Sequence, residues 1–155
     1  MELRELRKEK ELNQLEAAHI ANVSLRTYIT YENDKNKVDT NTYKHIYDSL
    51  YKYNYVDEEH GLLTIDKITK IVVPILESNN IHYCYLFGSY AKGNPRENSD
   101  VDLLVDTDIT GLEFFGIIEK LRVALKKKVD LLPIKYIQPD NPISLDILKY
   151  GKRIL

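Results

Sequence analysis

Apolar side chains recur at helical spacing through the first third of the chain and then give way to continuous apolar runs. Leu3 and Leu6 share one face of a short helix expected over residues 2–10. Three more are expected over 14–21, 24–32 and 40–54, opened by Asn13, by Ser24 and by Asp39 or Thr40, whose side chains can satisfy the free N–H groups of a helix start. Helices this short do not persist alone in water, so they must pack together. After Gly61 the pattern changes. Ile65, Ile68, Val72 and Ile75 repeat at a helical period over 63–78, where Pro74 should kink the helix or mark a shorter one. The run 81–87 predicts a buried strand, as do 101–105 and 129–132. Between the last two, Phe114, Ile118, Leu121 and Leu125 mark a helix over 111–127, and a final helix is expected near 143–150. That order is one of an α/β or α+β domain: a small mixed sheet with flanking helices, preceded by an all-α block.

The polar stretch from Asn54 to Gly61 separates the two blocks, giving a helical domain over 1–55, a linker over 56–62 and a mixed domain over 63–155. Of 155 residues, 43% are apolar and 30% charged, with 6 Gly and 5 Pro, which argues against collagen, low-complexity disorder and a disulfide scaffold. The single Cys84 lies inside an apolar run and reads as a small buried hydrophobe in a reducing compartment. The first ten residues lack the apolar core of a secretory signal and no stretch approaches the ~18 apolar residues of a membrane span, so the expected location is cytoplasmic with no membrane partner. Residues 1–57 carry 9 basic and 10 acidic side chains and the remainder 13 and 14, so any nucleic-acid contact must come from a local patch. His19, His45, His60 and His82 show no metal-ligand spacing. Tyr43, Tyr47, Tyr51 and Tyr55 form a stripe expected to pack in a core or interface, and Lys126 to Lys128 read as a solvated helix end.

The chemistry concentrates in one segment. A buried strand runs directly into Gly88-Ser89, where a glycine lets backbone N–H groups approach a phosphate and the serine hydroxyl adds a donor. Ten residues later, Asp100 and Asp102 sit at i, i+2 on a strand and project from one face while Val101 and Leu103 face the core. Two such carboxylates repel unless a cation lies between them. Asp130 is a lone acid in another apolar strand. If the two strands are neighbours, three carboxylates converge opposite the Gly-Ser turn, a set of hard oxygen ligands suited to Mg²⁺ or Mn²⁺.

Gly88-Ser89, ten intervening residues, then Asp100-Val101-Asp102, with Asp130 as a third acid, resemble the signature of the minimal nucleotidyltransferase (MNT) group of the DNA polymerase β-like superfamily. The resemblance covers roughly residues 63–155. It implies that Gly88 and Ser89 hold nucleotide phosphates, that Asp100, Asp102 and Asp130 bind the catalytic metals, and that Asp130 helps to deprotonate the acceptor hydroxyl. Only 25 residues follow Asp130, too few for a further lobe with its own core, so the acceptor pocket is expected to be completed by another protein.

The segment from Asn13 to Glu32 looks like a phage-repressor-type helix-turn-helix, with Gln14 opening the first helix, a turn at Asn22 and Val23, and Ser24 to Tyr31 as the recognition helix. Gln14, Ser24, Arg26 and Thr27 are the candidate DNA-contacting residues. Arg26 is the only base in the recognition helix, a thin phosphate-contacting set unless a dimer doubles it. The two modules together resemble the antitoxin of HEPN/MNT toxin–antitoxin pairs. That resemblance implies transfer of AMP from ATP to a hydroxyl, a tyrosine, of a HEPN-type toxin ribonuclease, binding to promoter DNA, and assembly as a homodimer or a hetero-oligomer with the toxin. Two alternatives stand beside it: a nucleotidyltransferase acting on a small alcohol such as an antibiotic, and a DNA-binding regulator that senses nucleotide without turnover.

Overall fold

A computed structural model describes all of residues 1–155, which divide into two compact units, Met1–Tyr55 and Val56–Leu155. In the first, four helices pack around one core: α1 (Leu3–Glu9), α2 (Gln14–Ile20), α3 (Leu25–Asn33) and α4 (Asn41–Lys52). Asn13, Ser24 and Thr40 each cap the helix that follows by accepting a backbone N–H, and Asn13 forms a capping box with Glu16. Ala17, Ala18 and Ala21 are buried against Leu3, Leu6, Tyr28, Tyr43, Ile46 and Leu50, so small side chains let α2 and α3 approach closely. Asn22 turns the chain between them at φ +52°, a left-handed conformation that asparagine tolerates. The tyrosine stripe stacks along α4 and beyond it, with ring centroids of Tyr43 and Tyr47 6.5 Å apart and those of Tyr47 and Tyr51 6.3 Å apart.

The second unit is built on a four-stranded mixed sheet of order β3-β2-β1-β4. Its strands are β1 (Cys84–Phe87), β2 (Val101–Val105), β3 (Val129–Pro133) and β4 (Lys152–Arg153), and its helices are α5 (Ile65–Glu77), α6 (Gly88–Lys92), α7 (Gly111–Leu125) and α8 (Pro142–Tyr150). β1 pairs antiparallel with both β2 and β4, while β2 and β3, joined through α7, run parallel. Helices α5 and α7 pack on each other and bury Ile68, Val72, Leu76, Ile117, Leu121 and Leu125 with the inward strand residues Leu86, Val101, Leu103 and Val105.

Several elements differ from the pattern-based expectation. α5 continues through Pro74 to Glu77, because Val72 and Leu76 on either side are fully buried and the lost N–H lies near the helix end. β1 begins at Cys84 rather than at residue 81; Ile81 is buried but its N–H closes the turn after α5 by donating to the Leu76 carbonyl. On α7 the innermost face runs through Ile117, Leu121 and Leu125, with Phe114 and Ile118 only partly buried. The short α6 and the two-residue β4 have no counterpart in the apolar pattern. Lys126 to Lys128 are not a solvated helix end as a group: Lys126 ends α7 at φ +56°, Lys128 is exposed, and Lys127 between them has no exposed surface. No helix is long and apolar enough to cross a membrane. Cys84 is buried, and burial pushes its thiol up to about 12.

Candidate active site

Strand register places the acids. Asp102 is the second residue of β2 and lies opposite Phe87 on one side and opposite Asp130 of β3 on the other. β1 ends at Phe87, and the next residue, Gly88, opens α6 at φ +69°. The Gly-Ser turn is therefore the chain's exit from the strand that flanks Asp102. A Cβ on Gly88 would stand 2.9 Å from the carboxyl carbon of Asp102 and closer still to its Oδ2, so glycine is required here by its acidic neighbour as well as by its backbone conformation. Ser89 follows on the first turn of α6, where backbone N–H groups have no partner within the helix.

Asp100 precedes β2 and is exposed, Asp102 is half-buried, and Asp130 is exposed. Burial raises the Asp102 carboxyl to about 6, and repulsion from Asp130, Asp100 and Asp146 adds to the rise, with Lys92 opposing it. The structure thus brings Asp100, Asp102 and Asp130 within electrostatic reach of one another, although it does not gather them into a closed three-ligand cluster. The donor set suits a divalent cation: hard carboxylate oxygens, one of them raised by burial and by its acidic neighbours, so that a positive charge would relieve the repulsion.

Two residues of this neighbourhood escaped the sequence reading. Asp146 on α8 contributes a fourth negative charge and pairs with Lys92 of α6, Nζ to Oδ1, at 2.7 Å. Lys92 also lies 5.5 Å from the ring centroid of Tyr150, so α8 is fastened beside the helix that begins at Gly88. Lys92 had a local signal, since it stands one helical turn after Ser89. Asp146 had none, because only the packing of α8 brings it near. An open acidic recess lined by Asp106, Asp108 and Glu113 lies at the other end of β2 and contains none of these residues.

The candidate DNA-contacting residues belong to the first unit. Ser24 and Arg26 are exposed at the start of α3. Ser24 caps the helix and shares a 2.7 Å hydrogen bond with Thr27. Gln14 instead turns to Glu32, donating at 2.6 Å, and Glu32 also pairs with Arg7 at 2.7 Å.

A mixed sheet that sets a Gly-Ser turn and paired strand carboxylates side by side defines a nucleotidyltransferase. Residues 70–155 match the Polymerase beta, Nucleotidyltransferase family, and the chain belongs to that family. A Methanocaldococcus jannaschii protein provisionally named protein adenylyltransferase is 31% identical over 84 residues, which are 50% of this chain and 85% of that one. Protein adenylyltransferase MntA of Thermococcus cleftensis is 34% identical over 78 residues, 46% of this chain and 79% of the relative. Among solved structures, a toxin–antitoxin with AMP-PNP aligns at TM-score 0.48 and 26% identity, over 56% of this chain and 72% of that one.

Proposed function

We propose that the chain is a protein adenylyltransferase antitoxin that moves AMP from ATP onto a tyrosine hydroxyl of a HEPN-type toxin. The observation that carries this reading is the pairing of Asp102 with Asp130 across β2 and β3, with Gly88 held against Asp102. The resemblance of the motif to the MNT signature and the names of the curated relatives, both adenylyltransferases of proteins, support the acceptor class.

Gly88 and Ser89 offer N–H and hydroxyl donors to the triphosphate of the incoming nucleotide. Asp100, Asp102 and Asp130 would hold Mg²⁺ or Mn²⁺, which supplies neutralisation of the phosphate charge and of the charge that develops during transfer. Asp130, exposed on the outer strand β3, accepts the proton of the acceptor hydroxyl. The oxygen so freed forms a bond to the α-phosphorus as the bond from that phosphorus to the bridging oxygen breaks, and pyrophosphate leaves. Catalysis by position and electrostatics is within the reach of so small a unit when the acceptor arrives on another protein.

The first unit, in this reading, binds promoter DNA through α3. The support is its helix, left-handed turn and helix, with Arg26 exposed. Incubation of the full chain with α-³²P-labelled ATP and Mg²⁺, with and without the product of the adjacent gene, tests the proposal. Label on that product, dependent on Asp102, is the expected result. Label on a small alcohol alone, or nucleotide binding without transfer, would overturn it.

A further inference from the structure

Lys127 is used neither by the helical pattern nor by the chemistry above, yet it is the one charged residue whose backbone and side chain are both buried. Its ammonium donates to the main-chain carbonyl of His60 at 3.0 Å and to that of Glu97. Both acceptors are backbone carbonyls rather than carboxylates. Burial lowers its pKa, and Asp57, Glu97 and Glu59 draw it back up. Taking an ammonium out of water is unfavourable by several kcal/mol in general. A side chain held there is therefore informative about what it holds.

The Glu97 carbonyl lies three residues before Asp100. Within the same turn, Ser99 donates its N–H to the Arg96 carbonyl at 2.9 Å and accepts the Arg96 N–H on Oγ at 2.8 Å. On the other side of Asp100, Val101 donates its N–H to the carbonyl of Lys128 at 2.9 Å. Two adjacent lysines thus grip the chain before and after Asp100, Lys127 by its side chain and Lys128 by its main chain. The same two residues lead into β3, whose second residue is Asp130. One short segment sets the positions of two of the three acids.

We propose that Lys127 is a positioning residue, which fixes the loop bearing Asp100 so that this carboxylate is presented to the divalent cation alongside Asp130. The proposal rests on the reading of Asp100, Asp102 and Asp130 as cation ligands.

The test uses the full-length chain without nucleotide. Lys127→Met keeps the length of the stem and removes the donor; Lys120→Met, exposed on α7, controls for the loss of one charge. In folded Lys127→Met, amide exchange over residues 97–101 should rise at least about tenfold, and Mn²⁺ should bind roughly tenfold more weakly. Lys120→Met should change neither. A folded Lys127→Met with wild-type exchange and wild-type Mn²⁺ affinity overturns the proposal. Should that variant fail to fold, the wild-type chain decides: the amides of Ser99 and Val101 should be protected with the core of β2, and exchange at the rate of free peptide overturns it. If Asp100→Asn and Asp102→Asn leave Mn²⁺ affinity unchanged, the ligand reading fails on its own, while the exchange data still decide whether Lys127 orders the loop.

Discussion

Gly88 and Asp102 are fitted to each other: the space that a side chain on residue 88 would occupy is filled by the carboxylate of residue 102. The glycine also holds φ +69°, where side chains are strained whatever room they have. Gly88→Ala should therefore destabilise the fold by about 1–3 kcal/mol and displace Asp102, reducing transfer at least about a hundredfold. The double variant Gly88→Ala/Asp102→Ala should regain part of the stability and none of the activity. Thermal denaturation of the four proteins of this cycle checks the coupling, and additive losses would contradict the fit.

Asp102→Asn should abolish transfer while stabilising the cation-free fold at neutral pH. The carboxyl is raised from its ordinary 3.8 to about 6, chiefly by burial. Between those values the folded chain keeps a proton that the unfolded chain has lost, so stability falls as pH rises through the window and stays lower above it. Removing the charge should restore about 1–2 kcal/mol after allowance for solvent screening, a gain of roughly 2–6 °C in Tm above pH 6 and none below pH 4. Equal Tm values for variant and wild type at pH 7.5, measured in chelator, would count against it.

Cation binding should reverse that difference. Saturating Mn²⁺ raises the Tm of wild type by preferential binding to the folded state, and chelation removes the gain. Asp102→Asn should show less than half of the wild-type response. Identical responses would place the cation elsewhere.

Glu32 should behave in the opposite sense to Asp102. Its side chain has no exposed surface; burial acts to raise its pKa, but hydrogen bonds from Arg7 and Gln14 and the charges of Arg7 and Arg4 outweigh this and hold it below the usual carboxylate value. Its contribution is present above the unfolded value near 4.5 and is lost as pH falls through the lower folded value. Glu32→Gln should cost the helical unit about 2–4 kcal/mol at pH 7 and less at pH 3, which lies below the unfolded value. Denaturant titrations at the two pH values check the sign.

If α3 contacts DNA, Arg26→Ala should weaken binding to the chain's own promoter at least about fivefold, with no loss of transfer. Binding by wild type should fall steeply with salt, as phosphate contacts release counterions. Gel-shift titrations at two salt concentrations measure both effects. Salt-independent binding, or none, would leave the unit with a docking role.

Gly88, Ser89, Asp100 and Asp102 could be picked out because a strand, a turn and a return strand keep them within fifteen positions of one another. Asp130 stood out as an acid in an apolar strand, and the parallel register with β2 is what sets it beside Asp102. Asp146 was invisible because α8 reaches the site only through packing. The burial of Lys127 has no local signal: a run of three lysines at a helix end has the pattern of a solvated terminus, and nothing nearby in the chain marks the middle one. β4 carries Lys152 and Arg153, no apolar alternation, and is a strand only because its backbone pairs with Tyr85 and Leu86.

β3 is the outer strand of the sheet on the side of Asp130, and that residue is exposed. The proposed proton acceptor thus stands on an open flank instead of at the bottom of a cleft. A hydroxyl carried on a broad protein surface can come alongside without being threaded inward, so choice among hydroxyls falls to the match of two surfaces rather than to the shape of a cavity. Free tyrosine, which has no such surface to present, should be a very poor acceptor.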